Sequence, residues 1–187
     1  MATSKLSRLT ALFDDANSVR LTGVPDGFEA LILSKILGDR AANGQGSLCF
    51  VARDYQRAGD VEQAMAFFAP WARIINLPAR DCLPYDRVSP GSDAVARRLA
   101  TLSDLAIGLN TERPVLVITT PNALIQRVPP KEILKSQAIT AAGGQRIDMD
   151  VLVRWLEDNG FQRTPTVRDT GEYAVRGGIL DLFAPGE

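Results

Sequence analysis

The chain of 187 residues has no histidine and only two cysteines, Cys49 and Cys82. Without an imidazole there can be no Ser/His or Cys/His nucleophile pair and no histidine ligand for a metal. Two thiols outside any Cys-x-x-Cys pair do not complete a structural zinc site. They read as reduced bystanders, Cys49 buried in the apolar run Leu48 to Ala52 and Cys82 near a loop. No stretch approaches the eighteen or so apolar residues of a membrane span. Residues Met1 to Lys5 lead into a polar-interrupted helix, Leu6 to Phe13, without the apolar core and small-residue cleavage site of a secretory signal. A soluble, cytoplasmic protein is the default expectation. An excess of either charge is missing too: 21 basic residues stand against 22 acidic ones, a net charge of -1. That balance argues against gripping nucleic acid through a bulk field, though it leaves room for a local basic patch.

What is present suits a folded globular chain, with 45% hydrophobic and 23% charged residues. The length suffices for one ordinary domain or two small ones. Over the first two thirds, short β-type runs alternate with amphipathic helical stretches. Ser18 to Thr22, Ser47 to Ala52 and Ala72 to Leu77 read as strands. Phe28 to Leu37 reads as a helix with Ile32, Leu33, Ile36 and Leu37 on its apolar side, and Asp54 as the N-cap of a helix carrying Val61, Met65 and Phe68. Pro78 to Ser92 is turn-rich, with Pro84, Pro90 and Gly91 opposing regular structure. Ser92 or Asp93 then caps a helix whose apolar stripe is Val95, Leu99, Leu102 and Ala106. The strand Pro114 to Thr119 is apolar on both faces, which predicts a mainly parallel, three-layer α/β sheet.

After Pro129-Pro130 the pattern changes to an α+β unit. Asp148 caps a helix with Val151, Trp155 and Leu156 that stops at Asn159-Gly160. Two β-type runs follow, Thr164 to Val167 and Tyr173 to Phe183, the second interrupted by Gly177-Gly178 as by a bulge or a close backbone approach. A helix and two or three strands offer little core, so this second domain is expected to be incomplete.

Four features of the sequence could carry chemistry. Gly23 to Ala30 lies at a strand-to-helix turn, where a phosphate loop would sit. Laid on G-x-x-x-x-G-K-[ST], however, its second Gly position is Phe28, its Lys position Glu29 and its hydroxyl position Ala30. Glu29 would repel a triphosphate and Ala30 cannot hold Mg²⁺, so Gly23, Gly27, Phe28, Glu29 and Ala30 form a degenerate loop or simply a turn. The acidic pairs Asp14-Asp15, Asp148/Asp150 and Glu157-Asp158 read as caps or solvated helix ends, and no catalytic residue is assigned. Tyr85 and Trp71 are either interface anchors or lids on the core. Arg163, Arg168 and Arg176 surround an antiparallel pair, either as rigid guanidinium anchors for a partner's carboxylates or as cross-strand ion partners of Asp169, Glu172 and Asp181.

Four blocks together resemble a known family. They are Leu83-Pro84-Tyr85-Asp86-Arg87-Val88-Ser89-Pro90, the helix from Arg98-Leu99 to Leu105, Ala123 to Pro130, and Gly171-Glu172-Tyr173-Ala174-Val175-Arg176-Gly177-Gly178-Ile179-Leu180-Asp181-Leu182-Phe183. In order over nearly the whole chain, they resemble the N-terminal region of the bacterial transcription-repair coupling factors. That region is itself similar to the excision-repair helicase UvrB. The resemblance implies a degenerate helicase-like α/β domain of the RecA/P-loop type over residues 1–128. It implies the start of a domain that docks on the damage sensor UvrA over residues 129–187. It makes Arg176 the principal UvrA contact, with Arg163 a weaker neighbour and Tyr173 and Gly177 beside it. The segment Pro84 to Arg98 is too short for the DNA-clamping hairpin of UvrB. The resemblance further implies that ATP, Mg²⁺, RNA polymerase and duplex DNA are engaged by other parts of the parent protein, and that this segment needs no cofactor or metal. A nucleotide-binding domain and a purely structural scaffold are the alternatives.

Overall fold

The fold is described from a computed structural model, which covers residues 11–13, 18–45, 47–80, 92–108, 113–136, 138–139 and 143–184. The backbone divides into two compact units, Met1–Ala79 with Gly108–Arg127, and Arg80–Ile107 with Val128–Glu187.

In the first unit, Gly27 takes the left-handed conformation (φ 83°) and launches helix α1, Phe28–Ala42. Glu29 sits in its first turn and Arg40 in its last, the order that favours the helix dipole. Strand β1 is Leu48–Val51. Helix α2, Tyr55–Phe68, is capped by Asp54, whose carboxylate accepts the Arg57 backbone N–H at 2.7 Å. Strands β2, Arg73–Leu77, and β3, Val115–Thr119, follow. They form a parallel sheet in the order β1-β3-β2, with Phe50 opposite Ile118 and Ile74 opposite Leu116. A short helix, α4 (Pro121–Leu124), follows β3 and starts on a proline, whose missing N–H costs nothing at that position.

The core of this unit joins Ala30 and Leu37 of α1, Ala58, Val61 and Met65 of α2, and Leu116 and Ile118 of β3, with Leu48, Phe50 and Ile74 packed against them. Both long helices therefore pack on the face of Leu116 and Ile118, while Val115 and Thr119 on the other face of β3 are buried as well. Two expectations are corrected here. Ser18 to Thr22 is not a strand: among the described residues it joins no ladder, although β1 and β2 are edge strands with an open side. Cys49 is exposed, not buried, because the pleat turns it away from Phe50 and the helical face. What remains of its burial still pushes the thiol pKa up.

The second unit contains α3, Ser92–Ile107, α5, Lys131–Ser136, α6, Met149–Asp158, and a three-stranded sheet of β4, Gln162–Arg163, β5, Glu172–Arg176, and β6, Ile179–Leu182. The buried stripe of α3 is rotated from the expected one. Leu102 and Ala106 are buried as expected, but Leu99 is exposed and Arg98 is enclosed in its place. The aliphatic stem of an arginine can line apolar surroundings at a position four residues before Leu102. Burial, and secondly the positive charge of Arg80, pull the Arg98 pKa down.

Sheet order is β4-β5-β6, with β4 parallel and β6 antiparallel to β5. The expected strand Thr164 to Val167 is displaced to Gln162–Arg163, because Pro165 has no N–H to extend a ladder. Gly177-Gly178 is neither a bulge nor an insertion within one strand. It is the two-residue turn of a β-hairpin, with φ 55° and 85° and with Arg176 opposite Ile179 on either side. Paired positive φ values match the right-handed twist of the flanking strands.

Candidate functional site

The hairpin of β5 and β6 is held from below by α6. Asp148 caps that helix, accepting the N–H groups of Asp150 and Val151 at 3.0 and 3.2 Å. Asn159 and Gly160 (φ 82°) end it, and Phe161 turns back to place its ring 6.2 Å from that of Trp155. Tyr173 of β5 is 0% exposed, and its hydroxyl donates to a Glu157 carboxylate oxygen at 2.8 Å. That bond is the main reason the Tyr173 pKa is raised, with desolvation and the Glu157 charge adding to it and Arg163 opposing it. Glu157 thus ties α6 to the sheet, a role that its reading as a solvated helix end missed. No spacing pattern links residues sixteen apart in a helix and a strand. At the start of β5, the Glu172 carboxylate accepts the backbone N–H groups of Arg168 and Asp169 at 2.8 and 3.0 Å. These bonds hold its pKa below the usual carboxylate value and close the turn at Gly171, φ 85°.

Arg176 ends β5 beside the glycine turn. Its Nη2 donates to Asp181 Oδ2 at 2.9 Å, with the two side chains 61% and 48% exposed. The partners occupy diagonal positions on one face, since Arg176 stands opposite Ile179 and Ala174 opposite Asp181. Arg163 stands opposite Tyr173 in the parallel β4–β5 pair. Because neighbouring residues of a strand point to opposite faces, Arg163 shares the face of Tyr173, and Arg176 lies on the other. Gly177 is open, with no atom within 4 Å of where a Cβ would be. Of the four residues expected at the partner surface, then, Arg176 and Gly177 are brought together at the hairpin end. Arg163 is exposed on the reverse face, and Tyr173 is enclosed beneath the surface.

The turn from Gly23 to Ala30 is not built as a phosphate loop is. Gly23 (φ 68°) and Gly27 (φ 83°) shape the turn, and the Phe28 N–H donates to the Pro25 carbonyl at 3.1 Å. Phe28 is partly exposed and Ala30 is buried. Glu29, in the lysine position, pairs with Arg57, which also reaches Asp26 at 3.1 Å. A cavity of about 350 Å³ adjoins this turn, lined by Leu21, Val24, Ile32, Leu33 and Phe50. A phosphate needs unpaired N–H donors and a free cation, and here the cation is engaged by two carboxylates beside an apolar wall.

Among the described residues no cluster of three or more metal-ligating side chains occurs, and no helix is long and apolar enough to cross a membrane. Trp71 lies over Gly38 with ring atoms 3.7 Å from the added Cβ position, half exposed. Asp14, Asp15, Cys82 and Tyr85 lie outside the described residues.

Comparison with known proteins bears directly on this hairpin. Residues 139–187 match the UvrB interaction domain, which contains α6 and the whole β4-β5-β6 sheet. Curated relatives match over a longer span. The transcription-repair-coupling factor of Myxococcus xanthus is 36% identical over 175 residues, covering 89% of this chain and 14% of the relative. The chain is related to the transcription-repair coupling factors. The protein of that name from Escherichia coli K12 is 34% identical over 171 residues, 91% of this chain and 14% of its own length. The one from Rickettsia bellii is 30% identical over 143 residues, 76% of this chain and 12% of its own. The chain thus spans about one seventh of the length of the Myxococcus xanthus and Escherichia coli relatives.

Proposed function

We propose that this segment is a non-catalytic recruiting module of a coupling factor, one that captures the excision-repair protein UvrA where RNA polymerase has stalled at a lesion. The observation that carries the reading is the match of residues 139–187 to the UvrB interaction domain, on a hairpin that holds Arg176 exposed at its end. Arg176 is the charge-assisted anchor, Gly177 lets the partner's backbone come close, Tyr173 supports the hairpin from inside, and Arg163 is a secondary contact at the sheet's other face. Residues 1–128 are read as a degenerate helicase-like domain and 129–187 as the beginning of the UvrA-binding domain. ATP and Mg²⁺ chemistry, duplex DNA translocation and displacement of RNA polymerase belong, in this reading, to the parts of a coupling factor outside these 187 residues. The cytoplasm, where those partners work, is its place.

One observation favours a second reading, a structural scaffold: Arg176 already has an intramolecular partner in Asp181. A calorimetric titration with UvrA separates the two. On the recruiting reading, Arg176→Ala weakens binding by at least about tenfold, roughly 1.4 kcal/mol, with little change in melting temperature. On the scaffold reading it lowers the melting temperature and leaves partner affinity where it was.

A further inference from the structure

The recruiting reading names a charge as the anchor, but an exposed guanidinium–carboxylate contact contributes little while water competes for both groups. Something at the hairpin end must exclude that water if Arg176 is to matter. By the register, the residue directly across from Arg176 is Ile179. The two flank the Gly177-Gly178 turn as the last ladder pair, so their side chains leave the same face of the sheet, about 5 Å apart at Cβ. Ile179 is 65% exposed, the most exposed apolar side chain of the hairpin. Along β6 the same face continues to Asp181, and then, past the strand's end, to Phe183, which is also partly exposed. The face therefore presents an Arg–Asp pair flanked by apolar side chains at either end. The turn beside it carries no side chain to hold a partner off.

We propose that Ile179 is the apolar anchor of the UvrA-docking face, and that it works by drying the Arg176 contact. The partner surface this fits offers a carboxylate to Arg176 with an apolar side chain next to it for Ile179. Exposed single isoleucines are ordinary. What sets this one apart is its place against the one cation of this hairpin face, where apolar cover raises the strength of a charge-assisted bond. Asp181 stays in place, taking one Nη2 hydrogen and leaving the rest of the guanidinium fork for the partner.

The inference rests on the UvrA reading, and binding titrations with purified UvrA test both. Ile179→Thr keeps a β-branched residue in the strand and removes apolar surface. It should weaken binding at least about fivefold, and Ile179→Thr combined with Arg176→Ala should be less than about twofold weaker than Arg176→Ala alone. Ile179→Lys adds a second positive charge beside Arg176. It should weaken binding as well, whereas recognition by charge alone would make it tighter. Leu182→Thr, on the opposite face, is expected to leave affinity within about twofold. Thermal melts of each variant confirm that the fold is kept. Ile179→Thr binding like wild type, additive effects of the two substitutions, or tighter binding by Ile179→Lys would each overturn the inference while leaving the UvrA reading intact. Failure of the folded wild-type chain to bind UvrA would overturn both.

Discussion

Tyr173 offers the sharpest check on how the hairpin is held. Its side chain is wholly enclosed, and its one polar atom donates to Glu157 at 2.8 Å. Tyr173→Phe keeps the ring and removes only that bond. The acceptor lies on an exposed residue, so its carboxylate regains water once the hydroxyl is gone. The loss should therefore fall below the usual range for bonds to charged groups, at about 1 kcal/mol. For a folding unit of this size, that corresponds to a melting temperature lower by roughly 4–8 °C. Tyr173→Ala, by contrast, empties a core site and should cost about 3–5 kcal/mol, enough to unfold a small unit. The assay pairs a thermal melt with a UvrA titration on the same samples. An enclosed hydroxyl cannot touch a partner, so Tyr173→Phe should leave affinity within about twofold at a temperature where the protein is folded. A tenfold loss of binding with an unchanged melt would refute this placement of Tyr173.

The turn makes a second prediction: Gly178→Ala, at φ 85°, should destabilise the hairpin by about 1 kcal/mol, whereas Gly177→Asn, at φ 55°, should be tolerated, as denaturant midpoints would show. The absence of histidine predicts a melting temperature nearly flat between about pH 6 and pH 8. Below that window the sign is fixed by Asp54 and Glu172, whose folded pKa values are lowered chiefly by backbone N–H bonds. Their contribution is complete above the unfolded carboxylate pKa near 4 and is lost as pH falls through the folded value. Asp54→Asn with Glu172→Gln should flatten the acid limb of the melting curve, and an unchanged limb would assign acid lability to other groups. Finally, titration with Mg-ATP should give no saturable heat, because Glu29 and Asp26 already hold Arg57. Saturable binding lost in Gly27→Val would revive the nucleotide reading.

What the sequence made legible was mostly local. Asp54 and Asp148 announce their caps because the bond each makes spans two or three residues, and the both-faces-apolar run of β3 announces a central parallel strand, which it is. The misses share one cause, dependence on what lies across the fold. Ser18 to Thr22 has a strand's composition, yet among the described residues it joins neither open edge of the sheet. Cys49 lies in an apolar run, yet the pleat alone decides its face. Arg98 and Leu99 are adjacent, and only the packing of α3 chooses which is enclosed. Glu29 with Arg57, and Glu157 with Tyr173, join residues of different elements, and nothing in their spacing foretells them.

Arg176 shows why such a gap need not hide function. From residue types alone it was equally a cross-strand ion partner and a binding anchor, and the structure displays the first of these. The two roles do not compete on equal terms. A pair this exposed contributes at most about 1 kcal/mol to folding, and salt screens even that. The same guanidinium enclosed by a partner exchanges water for a carboxylate at low local dielectric, where removing it typically costs several times as much. An intramolecular partner of so little worth restrains Arg176 without satisfying it. The bond to Asp181 is what a waiting anchor would be expected to make, and its presence in the unbound chain weighs little against recruitment.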